Sequence, residues 1–312
     1  MASTRGGTEE RIDRLSRASQ RHVIDPEVDL VGHLGTGQIL PDDLLSIHGM
    51  NLQLSADQKA RLAREEVAAF LDLGIRFEAV LMAGLCLDLA ARTDLNDPRT
   101  VFALHEVGEE TRHSRLFLRV IDQLQPTARS PFLARGRRGR WLETRSEFAI
   151  VRRPALFATV ALGGEEITDL THKRTGGHPD TDPFLAAVNR YHRQEEARHL
   201  SFARLRIPEI WAEASLGDRF AVRYLAPAIL REQFHLVVHP GVYATVGLPK
   251  WRTWRAVRRL PQRRDLLLQS TRPVLRALID GGALKPGAIP RPWRALCHVD
   301  RHGNPREPGI GG

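Results

Sequence analysis

The sequence predicts an all-α fold, and three observations favour it. From Ser55 to the residue before Pro98, apolar side chains recur at the three- and four-residue spacing of a helix face. Two Asp-Pro steps, Asp97-Pro98 and Asp182-Pro183, each combine a helix N-cap with a proline in the first turn. No stretch of useful length alternates apolar and polar residues as a strand does. The chain is therefore expected to form a bundle of helices.

The chain divides into four long helices and several shorter ones. The long helices are predicted over 55–97, 98–125, 154–176 and 183–207, and the shorter ones over 141–152, 215–239 and 262–279. We expect three parts along the chain. These are an N-terminal arm with short helical pieces (1–54), a helical-bundle domain (55–282), and a tail rich in Pro, Gly and Arg (283–312) that wraps the surface or frays.

Length and composition predict a soluble protein of the cytoplasm. With 312 residues, of which 42% are hydrophobic, the chain can bury a substantial core. Its two cysteines, Cys86 and Cys297, are too few for a disulfide framework or a thiolate metal site, which favours a reducing compartment. No run approaches the roughly 18 apolar residues of a membrane span, so no association with a membrane is expected.

The net charge of +9, from 46 basic and 37 acidic residues, is concentrated in two arginine-rich segments, 135–140 and 252–264. Arginine dominance follows from genomic base composition as readily as from function, which argues against nucleic-acid binding. We interpret both segments as solvated loops or helix faces, and an anionic partner is the alternative.

The strongest chemical signal lies in the middle of the fourth long helix. Glu196 is four residues and His199 seven residues after His192, so the three side chains fall within about 60° of one another on one helix face. Val188 before them and Phe202 after them share this face, which makes it the buried side of the helix. Buried charge needs a partner, and a metal ion is the first candidate.

A matching signal lies in the second long helix. Glu110 and His113 form a Glu-x-x-His pair, as do Glu196 and His199. In carboxylate-bridged dimetal bundles, two helices each supply such a pair and two others each supply one glutamate. The two pairs therefore predict half of a dimetal site.

Single glutamates on the other two long helices complete the pattern. One candidate is Glu78, in the apolar second half of the first helix, and the other is Glu165 or Glu166, which follow a run of apolar and small residues. The spacing does not separate Glu165 from Glu166. The candidate metal ligands are Glu78, Glu110, His113, Glu165 or Glu166, His192, Glu196 and His199.

The charge of this set indicates the ion. Four carboxylates neutralise two divalent cations, and carboxylates with imidazoles suit iron or manganese better than structural zinc. The segment from His105 to Glu109 begins like the zinc-peptidase motif His-Glu-x-x-His. The motif is incomplete, because Glu109 occupies the position of its second histidine. Glu109, Glu195 and Asp169 are expected to orient the histidines or to lie at the surface. The alternative is that each Glu-x-x-His pair is a solvated, salt-bridging helix face.

The order of these motifs resembles the p-aminobenzoate N-oxygenase (AurF-like) family of diiron oxygenases. The shared pattern is Glu, then Glu-Glu-x-x-His ending at His113, then Glu-Glu, then His-x-x-x-Glu-x-x-His from His192 to His199, within residues 55–275. The resemblance implies a ferritin-like four-helix bundle with additional helices, two irons at the seven matching positions, and O2 as co-substrate. It also implies N-oxygenation of an aromatic amine to a hydroxylamine or nitro product, an external electron donor, and a homodimer. The sequence does not distinguish a site for manganese from a site for iron.

The substrate pocket is expected beside the metals. Its candidate wall consists of residues one or two turns from the ligands, namely Phe70, Gly74, Phe77, Thr168 and His172. Phe234 and Arg272 lie in later helices that resemble the pocket-closing elements of the family. Arg272 is a candidate to bind a substrate carboxylate in bidentate fashion.

Three other functions are alternatives to this interpretation. A diiron hydroxylase or desaturase uses the same centre on a C–H bond. A ferritin-like metal-binding protein needs no organic substrate and no closed apolar pocket. An arginine-rich helical interaction protein binds no stoichiometric metal, and binds polyanions in a salt-dependent way.

Overall fold

The computed structural model describes residues 2–133 and 136–306, with side chains from residue 6 onward. Within these residues the chain is all-α, as predicted, and its β pairing is confined to an isolated bridge between Val299 and Pro305. Arg135 of the first basic segment and residues 307–312 of the predicted tail lie outside this description. The helices are α1 (Ala2–Arg21), α2 (Ala56–Ala90), α3 (Pro98–Leu124), α4 (Gly136–Val151), α5 (Pro154–Gly177), α6 (Pro183–Glu213), α7 (Leu216–Tyr224), α8 (Ala226–Leu236), α9 (Gly241–Ala244), α10 (Lys250–Val257), α11 (Pro261–Asp280) and α12 (Arg291–Cys297).

Four long helices, α2, α3, α5 and α6, form the bundle. Helix α2 packs against α3 and α5, and α6 packs against α5 and α3. The shorter helices surround these four, with α11, α8 and α7 on α5 and α1 on α3 and α6. The predicted ferritin-like four-helix bundle with additional helices is confirmed. Across the described residues, no helix is long and apolar enough to span a membrane.

The bundle helices begin where the sequence predicts their caps. Ser55 Oγ accepts a hydrogen bond from Gln58 N at 3.2 Å, and the Gln58 side chain accepts one from Ser55 N at 2.9 Å. Asp97 caps α3 through Arg99 N, and Asp182 caps α6 through the backbone N of residue 185. Each cap satisfies N–H groups that have no partner within the helix, a contribution of about 1 kcal/mol.

Helix α6 differs from the prediction, because it continues through Pro208 to Glu213. A proline inside a helix costs about 3 kcal/mol. Ile207 is buried, and Ile210 and Trp211 pack on the same apolar cluster. Burial of such side chains stabilises by about 1.5–3 kcal/mol each, which offsets the cost of the proline.

The described residues near both ends of the chain form more helix than the sequence predicts. Residues 2–21 of the arm form one helix, α1, whose Ile12 is fully buried against Phe102 and Phe202. Few apolar residues mark this helix, which is why its length was not predicted. In the predicted tail, the fully buried Trp293 of α12 donates its Nε1 proton to Val222 O at 2.9 Å. The division into three parts stays a prediction.

Glycines on α2 and α5 allow side chains to lie between these two helices. A Cβ at Gly164 would overlap the ring of Phe77, and a Cβ at Gly84 would overlap the ring of Phe157. The two rings therefore pack directly on helix backbone. Since Phe77 precedes Glu78 and Gly164 precedes Glu165, this packing fixes the spacing of the two candidate ligand helices beside the site.

A buried polar group, Glu66, lies elsewhere in the core. Its Oε2 accepts a hydrogen bond from Ser46 N at 2.9 Å, and Ser46 Oγ bonds both Glu66 and the hydroxyl of Tyr243. Burial raises the pKa of Glu66 to about 7, from an ordinary value of 4.5.

We predict that Gly164→Ala lowers the free energy of unfolding by about 1–3 kcal/mol, because the new methyl group displaces the Phe77 ring. Gly108→Ala on α3 is the matched control, since no described atom lies within 4 Å of its added Cβ. Gly108 is half-buried, but its added Cβ meets open space, where a helical Gly→Ala change stabilises by up to about 1 kcal/mol. Urea unfolding of both variants measures the difference, and equal stability of the two would contradict the packing argument.

We also predict that Glu66 makes stability depend on pH. Because its pKa is higher in the folded than in the unfolded chain, its contribution is complete below about pH 4.5 and is lost as the pH rises through about 7. The loss is on the order of 3 kcal/mol. Thermal unfolding between pH 5 and 8 should show a weaker pH dependence for Glu66→Gln than for wild type. Glu213→Gln, at an exposed position, should leave the dependence unchanged.

Candidate metal centre

The structure brings the predicted ligand positions of all four bundle helices together. One group contains Glu78, His113 and His192, and a second contains Glu110, Glu165, Glu196 and His199. Within each group, one ligand atom per residue lies within 4.8 Å of every other. All seven side chains are buried, with at most 4% of any residue exposed. The arrangement is that of a dimetal site, with a Glu-x-x-His pair on each of two helices and one glutamate on each of the others.

Several ligand atoms in this cluster face one another without forming a hydrogen bond. His199 Nδ1 lies 3.0 Å from Glu110 Oε1, and His192 Nε2 lies 3.3 Å from Glu196 Oε1. Glu110 Oε1, Glu196 Oε2, His199 Nδ1 and both ring nitrogens of His192 have no hydrogen-bond partner in the described part of the chain. Each buried polar atom left without a partner costs about 1–3 kcal/mol. Several in one place fit a bound cation.

Two further carboxylates orient the histidines across the α3–α6 interface. Glu109 on α3 lies with Oε2 2.8 Å from Nε2 of His199 on α6. Glu195 on α6 lies with Oε2 3.0 Å from Nε2 of His113 on α3. A proton on Nε2 held by a carboxylate leaves the Nδ1 lone pair of each ring facing the cluster, ready to bind metal.

Two arginines neutralise these orienting carboxylates, again across the same interface. Arg198 Nη2 donates to Glu109 Oε1 at 2.8 Å, and Arg112 Nη2 donates to Glu195 Oε1 at 3.1 Å. The hydroxyl of Tyr191 donates to Glu195 Oε2 at 3.1 Å. Glu109 and Glu195 thus orient histidines as expected. Asp169 was also expected to orient a histidine or to lie at the surface. It accepts a hydrogen bond from Arg193 Nε at 2.8 Å.

The cluster holds protons when no metal is bound. Burial favours a neutral His113, but its contacts with Glu110 and Glu195 raise its pKa to about 10. Burial and the repulsion of Glu110 raise the pKa of Glu78 to about 8. Burial opposes ionisation of Glu110 as well, yet His199 and His113 lower its pKa to about 2. Metal binding must displace the protons on the ligand atoms, so it should release protons.

The structure separates the two glutamates that the sequence left open. Glu165 belongs to the second ligand group. Glu166, one residue on and rotated by about 100° around the helix, forms an ion pair with Arg204. This placement favours Glu165 as the metal ligand.

Two buried side chains near the centre were not predicted as part of it. His172 is fully buried, its ring centroid lies 4.3 Å from that of His192, and neither of its nitrogens has a hydrogen-bond partner among the described residues. Burial and the charge of His113 lower the pKa of His172 to about 3. Glu106 is buried one turn before Glu110, and burial raises its pKa to about 8. His172 was expected in the wall of the substrate pocket, and its ring packs against those of Phe70, Phe117 and His192.

A large cavity lies beside the centre. This α2–α5 cavity has a volume of about 590 Å³, and Phe70, Gly74, Phe77 and Thr168 of the expected pocket line it. Phe234 instead lines a second cavity of about 90 Å³, the Glu66 cavity, which also contacts Phe70 and Arg263. The two cavities are adjacent, because Phe70 contributes to both.

Arg272 is not brought to the candidate pocket. Its Nε donates to Cys297 O at 3.0 Å, which ties α11 to α12. Among the described residues that line either cavity, Arg272 is absent. The expectation that it binds a substrate carboxylate therefore has no support from its position.

Four helices bring carboxylates and histidines together in the buried centre of the bundle, where several of their polar atoms have no hydrogen-bond partner in the described chain. This arrangement is that of a dimetal-carboxylate protein. The chain belongs to the p-aminobenzoate N-oxygenase AurF family, whose profile matches residues 5–282. Membership of this family supports a diiron oxygenase with a small-molecule substrate.

Several individual proteins are similar to the chain. Uncharacterized proteins of Mycobacterium tuberculosis (two strains) and Mycobacterium bovis are 28% identical over 247 residues, which cover 74% of this chain and 69% of each relative. A solved R2-like ligand-binding oxidase, described with an aerobically reconstituted metal cofactor after photoconversion, aligns with 92% of this chain and 88% of its own. The TM-score of that alignment is 0.41 and the identity 14%.

We predict that Glu165→Ala reduces metal binding and Glu166→Ala does not. Loss of Glu165 removes a carboxylate from the ligand group, whereas loss of Glu166 leaves that group intact and frees Arg204. We expect the affinity of Glu165→Ala for Fe(II) to fall more than about 100-fold, beyond what loss of an orienting residue costs. Anaerobic Fe(II) titration followed by elemental analysis measures it. A normal iron content in Glu165→Ala would exclude this residue as a ligand.

Proposed function

We propose that the protein is an O2-activating, non-haem diiron oxygenase that N-oxygenates an aromatic amine to a hydroxylamine or nitro product. The observation that carries the proposal is the cluster of buried carboxylate and imidazole atoms without hydrogen-bond partners, contributed by four helices. Membership of the AurF family supports the same chemistry. The proposal includes iron rather than manganese, an external electron donor, a homodimer and a cytoplasmic location.

Two of the carboxylates lie between the two ligand groups. Glu110 directs Oε1 toward His199 Nδ1 at 3.0 Å and Oε2 toward His113 Nδ1 at 3.2 Å, so its two oxygens face the two ligand groups. Glu196 Oε1 lies 3.3 Å from His192 Nε2 and 3.5 Å from His199 Nδ1, and it too faces both groups. With Glu78 and Glu165, these carboxylates would hold the iron pair and neutralise its charge.

The bound iron pair would supply the redox chemistry that reduces O2. Other side chains of the protein hold the candidate iron ligands in position. Arg112 and Arg198 keep Glu195 and Glu109 ionised, and these carboxylates fix the two histidine rings with Nδ1 toward the centre. Ser114 Oγ donates to Glu78 Oε2 at 2.5 Å and limits the positions that this carboxylate can take.

The α2–α5 cavity would admit the amine. Its lining includes Phe77 and Gly164, the residues just before Glu78 and Glu165. One oxygenation converts an amine, O2, two electrons and two protons into a hydroxylamine and water. The two electrons would come from an external donor, as members of the family that this chain belongs to require.

The proposal is tested by metal content and by the fate of oxygen. Protein reconstituted with Fe(II) should contain about two irons per chain. After reduction it should convert an aryl amine under ¹⁸O2 to a product whose nitrogen carries ¹⁸O, detected by mass spectrometry. Less than about half an iron per chain would overturn the diiron assignment. Label found only on carbon would favour a C–H hydroxylase.

We predict that His192→Ala abolishes turnover while the fold persists. His192 is buried at the centre, and neither ring nitrogen has a hydrogen-bond partner within the described chain, so its removal costs the fold little beyond a small cavity. We expect amine oxidation to fall more than about 100-fold. Circular dichroism should show unchanged helix content. His22→Ala, at an exposed position, serves as the control and should keep full activity.

A further inference from the structure

The α2–α5 cavity is larger than a one-ring substrate requires. Its volume is about 590 Å³. An apolar cavity of about 150 Å³ is enough to hold benzene. The α2–α5 cavity therefore offers roughly four times the space of one aromatic ring.

The lining of the cavity suits an extended and mostly apolar molecule. Apolar side chains from α2, α5 and α8 form most of its wall, among them Phe77, Val80, Phe157, Val160 and Ile229. Apolar walls with a few polar groups are typical of pockets for molecules of drug size. A small, highly polar substrate would leave most of this wall in contact with water.

Two polar groups in the wall lack partners. Gln233 Oε1 and His239 Nδ1 are buried, line the cavity, and make no hydrogen bond to any described residue. His239 is only 8% exposed, so bulk water does not readily satisfy it. Neither atom is open to water, so a molecule in the cavity would contact these two residues through their other atoms.

The cavity lies next to the candidate metal centre. Phe77 and Gly164, which line it, immediately precede Glu78 and Glu165, and Thr168 follows Glu165 by about one helical turn. Gln233 and His239 belong to a different wall, at the end of α8 and just beyond it. A molecule that fills the cavity contacts both walls.

We infer that the amine substrate is a bulky, largely apolar molecule of two or three rings. Its amino group lies at the Glu78 and Glu165 end of the cavity, and its rings lie against the apolar wall formed by α2, α5 and α8. This inference rests on the proposed function, because it names the substrate class of that same reaction.

Binding to the metal-free protein tests the inference separately from the oxygenase activity. Aniline, 4-aminobiphenyl and 2-aminoanthracene are titrated by calorimetry or fluorescence. Each additional buried ring should strengthen binding by at least about tenfold. Equal affinity for the three amines would overturn the inference and leave the oxygenase proposal intact. Failure to bind iron would overturn the oxygenase proposal and leave the binding result intact.

A variant that fills the cavity distinguishes it from other apolar surfaces. Ala161 on α5 lines the cavity, so Ala161→Phe should weaken binding of 2-aminoanthracene at least about tenfold while aniline binding changes little. Ala158→Phe on the same helix is the matched control, since position 158 is not part of the lining of the described cavities. If Ala161→Phe does not fold, Thr144→Trp at an exposed lining position of α4 gives the same test. Unchanged 2-aminoanthracene affinity in the folded variant would exclude the cavity as its site.

Discussion

Buried charge at the centre of the bundle is the constraint on which the rest of the structure depends. An isolated ionised group costs several kcal/mol when it is removed from water, so each one here needs a compensating partner. Arg112 and Arg198 compensate the outer carboxylates, Glu195 and Glu109. The carboxylates of the two ligand groups contact histidines and one another, and Glu78 also accepts a hydrogen bond from Ser114, so the site fits cations that the chain itself does not provide. Four long helices surround this centre and keep water out of it.

The helices that enclose the centre also shape the space beside it. Rings of Phe77 and Phe157 pack against glycine backbone between α2 and α5, where any larger residue would push the helices apart. The same rings form part of the cavity wall. Packing that fixes the position of the carboxylates therefore also fixes the shape of the cavity, so a substitution that alters one is expected to alter the other.

Much of this architecture could be predicted, because the signals are local. The Glu-x-x-His pairs and the Asp-Pro caps depend only on spacing along a helix, and both were found from the sequence. The choice between Glu165 and Glu166 could not, because it depends on how α5 is rotated against its neighbours. Arg272 was misjudged for a similar reason: proximity to the site is a tertiary property, and its guanidinium instead binds a carbonyl of α12. Continuation of α6 past Pro208 depends on distant packing that no local rule contains.

The crossed pairs between α3 and α6 have a consequence for folding. Glu109 contacts His199 while Glu195 contacts His113, and the two arginines repeat the crossing. A slip of α3 along α6 by one residue, about 1.5 Å with a rotation of about 100°, would break all four contacts together and leave their charges unpaired. An apolar interface tolerates such a slip more easily, because one apolar contact replaces another. In coiled coils, for example, a single buried polar residue sets the alignment of the helices. The residues that orient the candidate ligands thus also select one helix register from several of similar hydrophobic content.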